Sequence, residues 1–327
     1  MEAAAENSFV ERVCLPFLKT AQNQDGGWGF RPGSQSRAEP TCWALQALQA
    51  LRSPRAASQS STSSVPQQNL DNIARGVQFL RSAQLSDGSW PSTPEEKTGC
   101  WVTSLACSAL RSDGDSAKTV AAGLNWLCED WPRDSSPWRR LLARFSVDRK
   151  VFPINNSYRG WGWTPETSSW VEPTSFALLA LEQHGADIPD AAVQRRRKLA
   201  TALLYDRMCP AGGWNCGNPK VYGVAGEPLV VPTAVALLAL RAYPNRGENV
   251  SSLEWLVRSV PSIQGAGSLA LARVCLAAYG REWPGDAPAF SELHARGEFL
   301  DNVEVVVWTC LALSGSGWLV SVGEASP

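Results

Sequence analysis

Apolar residues recur at helical spacing along most of the chain, and five blocks of ten residues repeat one pattern of small residues and leucines. The blocks cover residues 39–48, 101–110, 172–181, 231–240 and 304–313, and a weaker sixth candidate covers 268–278. Apolar residues surround each block rather than forming one stripe, which predicts helices packed on every side. In three blocks a Pro-Thr pair favours a helix start, with the Thr helping to cap it.

A second element precedes several of these helices, namely a glycine turn followed by tryptophan. Its copies occupy residues 24–30 (QDGGWGF), 84–90 (QLSDGSW), 160–163 (GWGW) and 212–214 (GGW). Asp-Gly and Gly-Gly favour tight turns with positive φ, and the tryptophan can fold back over the preceding helix end. Amphipathic stretches at 9–21, 73–84, 117–129 and 252–260 complete the pattern. The chain therefore predicts repeats of outer helix, turn and inner helix.

Two segments interrupt the repeats. Residues 53–68 are rich in Ser and Pro and predict a mobile surface loop inside one domain that spans residues 1–327. Residues 130–158 form an insertion with Trp131, Trp138 and a local basic cluster. Two interpretations of the insertion stay open: a lid or membrane-facing entrance for an apolar substrate, or a surface helix that packs two indoles onto the body.

Composition narrows the class of protein. The 327 residues carry 30 Lys and Arg against 31 Asp and Glu, so the net charge of −1 gives no electrostatic basis for nucleic-acid binding. With 44% hydrophobic residues and no long apolar segment, we expect a cytoplasmic globular protein, with membrane association left open. Nine cysteines without a CxxC pair and only two histidines favour buried thiols over disulfides, structural zinc or a Ser-His-Asp triad.

The 15 tryptophans are the unusual feature, and the turns that contain some of them resemble a known family. QNQDGGWGF and QLSDGSW resemble the QW repeats of the terpene cyclase/mutase family, which includes squalene–hopene cyclases, and the turn plus inner helix is similar to the repeats of protein prenyltransferase β subunits. The resemblance implies an all-α fold, an α/α toroid with an apolar cavity lined by aromatics. It also implies a prenyl or terpenoid substrate and no cofactor, apart from Mg²⁺ if the substrate is a diphosphate.

Aromatic residues at the inner-helix blocks are the candidates for substrate binding, because an aromatic face stabilises a carbocation by about 0.5–2 kcal/mol. They are Trp43, Trp101, Trp170, Phe176 and Trp308. The alternative is that each simply fills space between helices. Asn215 and Tyr222, in the loop before the block at 231, are further candidates for orienting a polar group. Trp28, Trp90 and Trp214 follow the turns and are predicted to be architectural.

The sequence differs from the family in the acid that would start such a reaction. Class II terpene cyclases protonate an alkene or epoxide with an Asp of a DxDD motif, and this sequence contains no DxDD. The repeat frame places Glu39, Glu172 and Glu304 at the position of that Asp, whereas a rival alignment places Asp301 there. Each acid could instead be an ordinary residue of a helix start. We hypothesise that at least one of them lines the pocket.

The sequence thus predicts a non-standard class II-like terpenoid cyclase or isomerase. Only one toroid is present, so a shorter substrate, a homodimer or a partner chain could complete the cavity, and peripheral membrane contact would suit an apolar substrate. One alternative is a non-catalytic toroid that binds an isoprenoid or a partner. Another is a prenyltransferase-like subunit, for which Cys209, Cys216 and His294 are the available zinc ligands.

Overall fold

The computed structural model describes residues 2–52, 67–129, 154–155, 157–184 and 191–314. Helices dominate, and a π-helical segment (Val10–Cys14) joins the first two. In chain order they are α1 (Glu2–Phe9), α2 (Leu15–Thr20), α3 (Ala38–Ala50), α4 (Gln67–Ala83), α5 (Val102–Leu110), α6 (Ala117–Glu129), α7 (Val171–Gln183), α8 (Ala191–Asp206), α9 (Val230–Ala239), α10 (Gly247–Ser259), α11 (Ala266–Ala278), α12 (Phe290–Ala295) and α13 (Val303–Leu313).

Six of these helices form a closed inner ring. In the order α3, α5, α7, α9, α11 and α13, each contacts the next, and α13 contacts α3. Outer helices α4, α6, α8 and α10 pack against this ring, and α2 with the π-helical segment packs against α13. The predicted inner helices are confirmed, and the weak candidate at 268–278 is the fifth member of the ring. The fold is an all-α α/α toroid, as predicted.

The interruptions lie largely outside the described residues. Residues 53–66 of the predicted loop are not described, and α4 already begins at Gln67, two residues inside the predicted loop. Residues 130–153 and 156 of the insertion, with Trp131 and Trp138, are likewise outside the described chain. Both interpretations of that insertion therefore stay predictions.

The four turn tryptophans, Trp28, Trp90, Trp161 and Trp214, connect the preceding helix to the next inner helix through hydrogen bonds. Each is at most 2% exposed, its indole N–H donates to a carbonyl of the preceding helix, and its backbone N–H donates to a Thr hydroxyl of the following inner helix. The indole N–H bonds are Trp28 to Leu18 (2.7 Å), Trp90 to Leu80 (2.7 Å), Trp161 to Leu127 (2.9 Å) and Trp214 to Leu204 (2.6 Å). The backbone N–H bonds are Trp28 to Thr41 (2.9 Å), Trp90 to Thr103 (3.0 Å), Trp161 to Thr174 (2.9 Å) and Trp214 to Thr233 (2.9 Å).

This arrangement changes the role expected of the Pro-Thr pairs. The Thr side chains do not cap their own helices, because each hydroxyl accepts the tryptophan N–H of the turn. The hydroxyl of Thr41, for example, also donates to the Arg37 carbonyl at 2.6 Å. Glycine is required beside these contacts: Gly88 has φ +91°, and a Cβ there would lie 2.6 Å from the Ala122 carbonyl oxygen.

The inner helices run parallel, because an outer helix returns the chain between each pair. All their N-terminal ends therefore meet at one end of the ring, which we call the mouth, formed by the loops at 21–37, 84–101, 157–170, 207–229, 260–265 and 296–302. Backbone bonds join neighbouring loops to helix starts around the mouth: Val303 N–H to the Phe30 carbonyl (2.9 Å), Trp101 to Trp163 (3.1 Å) and Val171 to Cys216 (3.2 Å). None of the described helices is long and apolar enough to cross a membrane.

Candidate active site

The three repeated glutamates all lie in the first turn of an inner helix, and so at the mouth. Each is the second residue of its helix: Glu39 in α3, Glu172 in α7 and Glu304 in α13. In the ring, α3 and α13 are neighbours, whereas α7 lies opposite α13. Ring closure therefore brings together the acids of the first and last repeats and leaves Glu172 on the other side.

Glu39 and Glu304 form a pair of partly buried carboxyls. The pKa of Glu39 is raised from its ordinary value of 4.5 to about 7, first by burial and then by the negative charge of Glu304. The Trp43 indole and the Arg37 guanidinium act in the opposite direction. Burial also raises the pKa of Glu304, against a hydrogen bond from the Trp308 indole N–H at 3.3 Å. Near neutral pH this pair can hold a transferable proton.

Within the part of the chain that the structure describes, no second carboxyl shifts the pKa of Glu172 in the way that Glu304 shifts that of Glu39. Burial raises the pKa of Glu172, and a backbone hydrogen bond lowers it. Its Oε2 atom is buried and accepts no hydrogen bond from any described residue. Burial, and after it the charge of Glu172 across the contact between α7 and the loop of the next repeat, raises the pKa of Cys216. Glu172 thus shares the repeat position of Glu39 and Glu304 but not their pairing.

Each of these acids precedes an aromatic residue by four positions, which places the acid and the ring on one helix face. The pairs are Glu39 with Trp43, Glu172 with Phe176, and Glu304 with Trp308. The rings form a continuous series across the ring axis. Centroid distances are 5.0 Å from Trp308 to Trp43, 5.5 Å from Trp43 to Phe176, 5.5 Å from Phe176 to Trp101, and 5.0 Å from Trp101 to Trp163.

The rings contact one another instead of standing apart around an empty space. Trp43, Trp308 and Phe176 are 1%, 3% and 8% exposed, while Trp101 and Trp163 are partly exposed. Four of the five aromatic candidates, Trp43, Trp101, Phe176 and Trp308, therefore contact one another around the ring axis and fill it, whereas Trp170 is not part of this series. Within this aromatic series, the partly exposed members Trp101 and Trp163 lie at the mouth, as do the partly buried Glu39 and Glu304.

Asp301 occupies a different environment from the three glutamates. It is exposed, lies ahead of α13 and has φ +50°, in the left-handed region. Asn302 follows as the N-cap residue of α13, and its side chain accepts from the N–H of Glu304 at 2.8 Å. The two alignments therefore select acids in different environments: Glu304, from the repeat frame, is partly buried in the first turn of α13, whereas Asp301, from the rival alignment, is exposed ahead of it.

The remaining predicted residues are dispersed. Trp170 is the N-cap residue of α7 and pairs through its backbone with Trp161. Asn215 folds back on its own loop, donating to the Asn218 carbonyl at 2.9 Å. Tyr222 is 76% exposed at the tip of the only hairpin of the described chain, β1 (Lys220–Val221) and β2 (Val224–Ala225). The structure does not bring these three to the carboxyl pair.

Two residues at the candidate site, Trp163 and Arg37, were not predicted from the sequence. Trp163 extends the aromatic series beyond Trp101, and the repeated GWGW signal at 160–163 could have identified it. Arg37, the residue before α3, lowers the pKa of Glu39, and its guanidinium lies 5.8 Å from the centroid of the Phe30 ring. Among the described residues, no group of three or more His, Cys, Asp or Glu side chains could hold a metal ion.

A separate groove lies on the outer wall between α8 and the start of α10. Its volume is about 830 Å³, and Lys198, Tyr205, Tyr243 and Arg246 contribute to its lining. The Arg246 guanidinium lies 3.6 Å from the centroid of the Tyr205 ring. No predicted site residue lines this groove, so it does not belong to the carboxyl pair.

The raised pKa of Glu39 predicts a pH dependence of stability. Between pH 4.5 and about 7 the folded chain binds more protons than the unfolded chain, so the free energy of unfolding falls as pH rises through this window. Glu39→Gln removes the cost of ionising a buried carboxyl. We expect the variant to be more stable than the parent by about 1–3 kcal/mol at pH 8 and equally stable at pH 4.5. Urea unfolding at both pH values measures the difference.

Glu95 is the control for this prediction, because hydrogen bonds lower the pKa of this exposed acid, first from its own backbone and then from Gln35. Glu95→Gln should give no gain in stability at pH 8. A Glu39→Gln variant that is less stable than the parent at pH 8 would contradict the assigned direction.

Comparisons with known proteins identify the fold. No protein-family model matches the sequence, and no curated protein matches it. Among solved structures, the type II terpene cyclase MstE from Scytonema is similar, with 14% identity over 84% of this chain and 74% of that chain and a TM-score of 0.53. A protein from Actinoplanes is 16% identical over 96% and 99%, with a TM-score of 0.58. The GH76A α-1,6-mannanase from Salegentibacter is 11% identical over 96% and 99%, with a TM-score of 0.58. These similarities show the fold alone, an α/α toroid.

Proposed function

We propose that this chain is a proton-initiated terpenoid cyclase or isomerase in which Glu39, paired with Glu304, donates the proton. The observation that carries the proposal is the carboxyl pair itself. Glu39 has a pKa of about 7 and lies where a series of indole and phenyl rings begins. A carboxylic acid that stays protonated near neutral pH beside apolar rings is the arrangement that alkene or epoxide protonation needs.

The proposed reaction consumes no proton overall, because one proton is donated to the substrate and one is lost from the carbocation. Glu39 would transfer a proton to an alkene carbon or epoxide oxygen, forming a carbocation, and loss of a proton from a neighbouring carbon would give a product isomeric with the substrate. The ring face of Trp101 at the mouth would lie next to the cation, with Phe176 and Trp43 behind it. Similarity of fold to a type II terpene cyclase supports this reading.

The test is incubation of the purified chain with geranylgeranyl diphosphate, squalene and a terpenoid epoxide in buffered D₂O, followed by mass spectrometry. With squalene or the diphosphate, the expected product is an isomer of the substrate that carries one carbon-bound deuterium. With the epoxide, the deuterium is delivered to oxygen and exchanges back on work-up, so the expected product is an unlabelled isomer. Release of inorganic diphosphate without deuterium uptake would mean ionisation instead of protonation, and binding without consumption of any substrate would favour a non-catalytic toroid. Either result contradicts the proposal.

Glycoside hydrolysis is the second candidate, because two interacting carboxyls beside tryptophans also suit that reaction. A toroid of similar fold is an α-1,6-mannanase. The described surroundings of Glu39 and Glu304 are mostly rings, which favours an apolar substrate. An α-1,6-mannotriose sample belongs in the same assay, and release of reducing sugar there would decide for the second candidate.

A further inference from the structure

The groove on the outer wall, between α8 and the start of α10, is lined almost entirely by polar side chains. Among the described residues that line it, Ala202 is the only aliphatic one, and three are tyrosines, Tyr158, Tyr205 and Tyr243. Its volume of about 830 Å³ lies in the range of small-molecule sites. A wholly apolar ligand would have little to contact here. We therefore expect a polar ligand with a flat ring that the tyrosines can contact.

The acids of this lining are already neutralised, because each of the three carboxylates forms an ion pair with an arginine. The pairs are Glu182 with Arg197, Asp206 with Arg207, and Glu248 with Arg246. Lys198, by contrast, is exposed and forms no ion pair or hydrogen bond with another described residue. The charge that remains available in the groove is therefore positive, which favours an anionic ligand.

Lys198 ends a basic run on α8, residues 195–198, whose four members have different environments. Arg196 is 1% exposed, and its guanidinium lies 4.0 Å from the centroid of the Trp161 ring. Arg195 is exposed but does not line the groove. Because Arg197 is held in its ion pair, Lys198 is the member of the run that is available to a ligand in the groove.

A ring platform, formed by Tyr205 and Arg246, lies in the same groove. The Arg246 guanidinium lies 3.6 Å from the centroid of the Tyr205 ring, and the Tyr243 ring meets the Tyr205 ring edge-on at 6.5 Å. The Arg246 side chain is 44% exposed, so its outer face can stack on another flat ring. Lys198 and Tyr205 are seven residues apart on α8, about 10 Å along its axis. A ring and an anionic group joined over this length therefore fit the groove.

We propose that this groove binds a nucleoside diphosphate. The base would stack on the Arg246 guanidinium above Tyr205, and the phosphates would accept hydrogen bonds from the Lys198 ammonium group. A nucleoside diphosphate combines a flat ring, negative charge and the length that separates the platform from Lys198. Neither Glu39 nor Glu304 lines the groove. The inference is therefore independent of the reaction proposed for the carboxyl pair.

The test is isothermal titration calorimetry of the full chain with ADP. ADP should bind to one saturable site, and Lys198→Gln should weaken binding at least about tenfold, because it removes a charge-assisted contact. Arg195→Gln is the matched control, since it removes the same charge from the same helix outside the groove, and it should change binding less than about twofold. Both side chains are exposed, so circular dichroism should show an unchanged fold.

Two fragments of ADP separate the ring from the charge. Inorganic diphosphate has no ring and adenosine has no negative charge, so each should bind at least about tenfold more weakly than ADP. Diphosphate that binds as tightly as ADP would overturn the proposal, because the ring platform would then play no part. Other contrary results are an absence of saturable ADP binding below about 1 mM, an equal loss in Arg195→Gln, and a loss in Glu39→Gln, which would place the nucleotide at the mouth.

Discussion

Glu39→Gln should lower turnover by about 10²–10⁴-fold, the contribution of a well-placed general acid. Glutamine has a similar shape but carries no transferable proton, so binding of the substrate should persist while the chemical step fails. The rate of single-turnover experiments, with whichever substrate the D₂O assay shows to be consumed, measures this directly. The same variant should be more stable at pH 8, so a loss of activity cannot be attributed to unfolding.

Glu304→Gln should act differently from Glu39→Gln. Removing the negative charge of Glu304 lowers the pKa of Glu39, because that charge is the second largest cause of the shift. The donor would then lose its proton at a lower pH, and the pH–rate profile should move to lower pH with activity recovered on acidification. A profile that does not move would mean that the two carboxyls are not coupled.

Asp301→Asn and Glu172→Gln test the other two candidate acids. Asp301 is exposed at the rim, so its substitution should leave turnover within about twofold of the parent, well below a general-acid effect. Glu172 has the repeat position but no acidic partner, which makes it the matched comparison for Glu39. If Asp301→Asn abolishes turnover and Glu39→Gln does not, the donor has been assigned to the wrong alignment.

Trp214→Ala should destabilise the chain by about 3–5 kcal/mol, the cost of emptying a fully buried aromatic site. The indole fills the junction between α8 and α9, and its loss also leaves the Leu204 carbonyl without its donor. Domains are stable by only about 5–15 kcal/mol, so this single turn accounts for a large part of the total. Urea unfolding followed by circular dichroism measures the change.

Tyr222→Ala in the same loop is the control, because its side chain is exposed and its removal should shift stability by less than about 0.5 kcal/mol. Trp28→Ala, Trp90→Ala and Trp161→Ala should resemble Trp214→Ala, since each indole N–H likewise donates to a carbonyl of the preceding helix. A cost below about 1 kcal/mol at all four turns would contradict the architectural role of the tryptophans.

The sequence by itself determined the repeating unit. Helical periodicity, glycine turns and the tryptophan after each turn are local signals, so they predicted the inner helices, and the resemblance of the turns to QW repeats implied the toroid. They also singled out Trp43, Trp101, Trp170, Phe176 and Trp308 for a common axis, and all of these except Trp170 meet there. Outer helices α8 and α12 were not delimited, since their apolar residues follow a weaker pattern.

Only the tertiary structure decided which acids meet. Glu39, Glu172 and Glu304 are equivalent in sequence, but closure of the ring makes α3 and α13 neighbours and places α7 opposite α13. The pairing depends on contact between the first and last repeats, which no local pattern encodes. Burial and the charge of Glu304 then raise the pKa of Glu39, and both effects arise from that packing. The sequence therefore determined the ring, and its closure determined the chemistry available at the mouth.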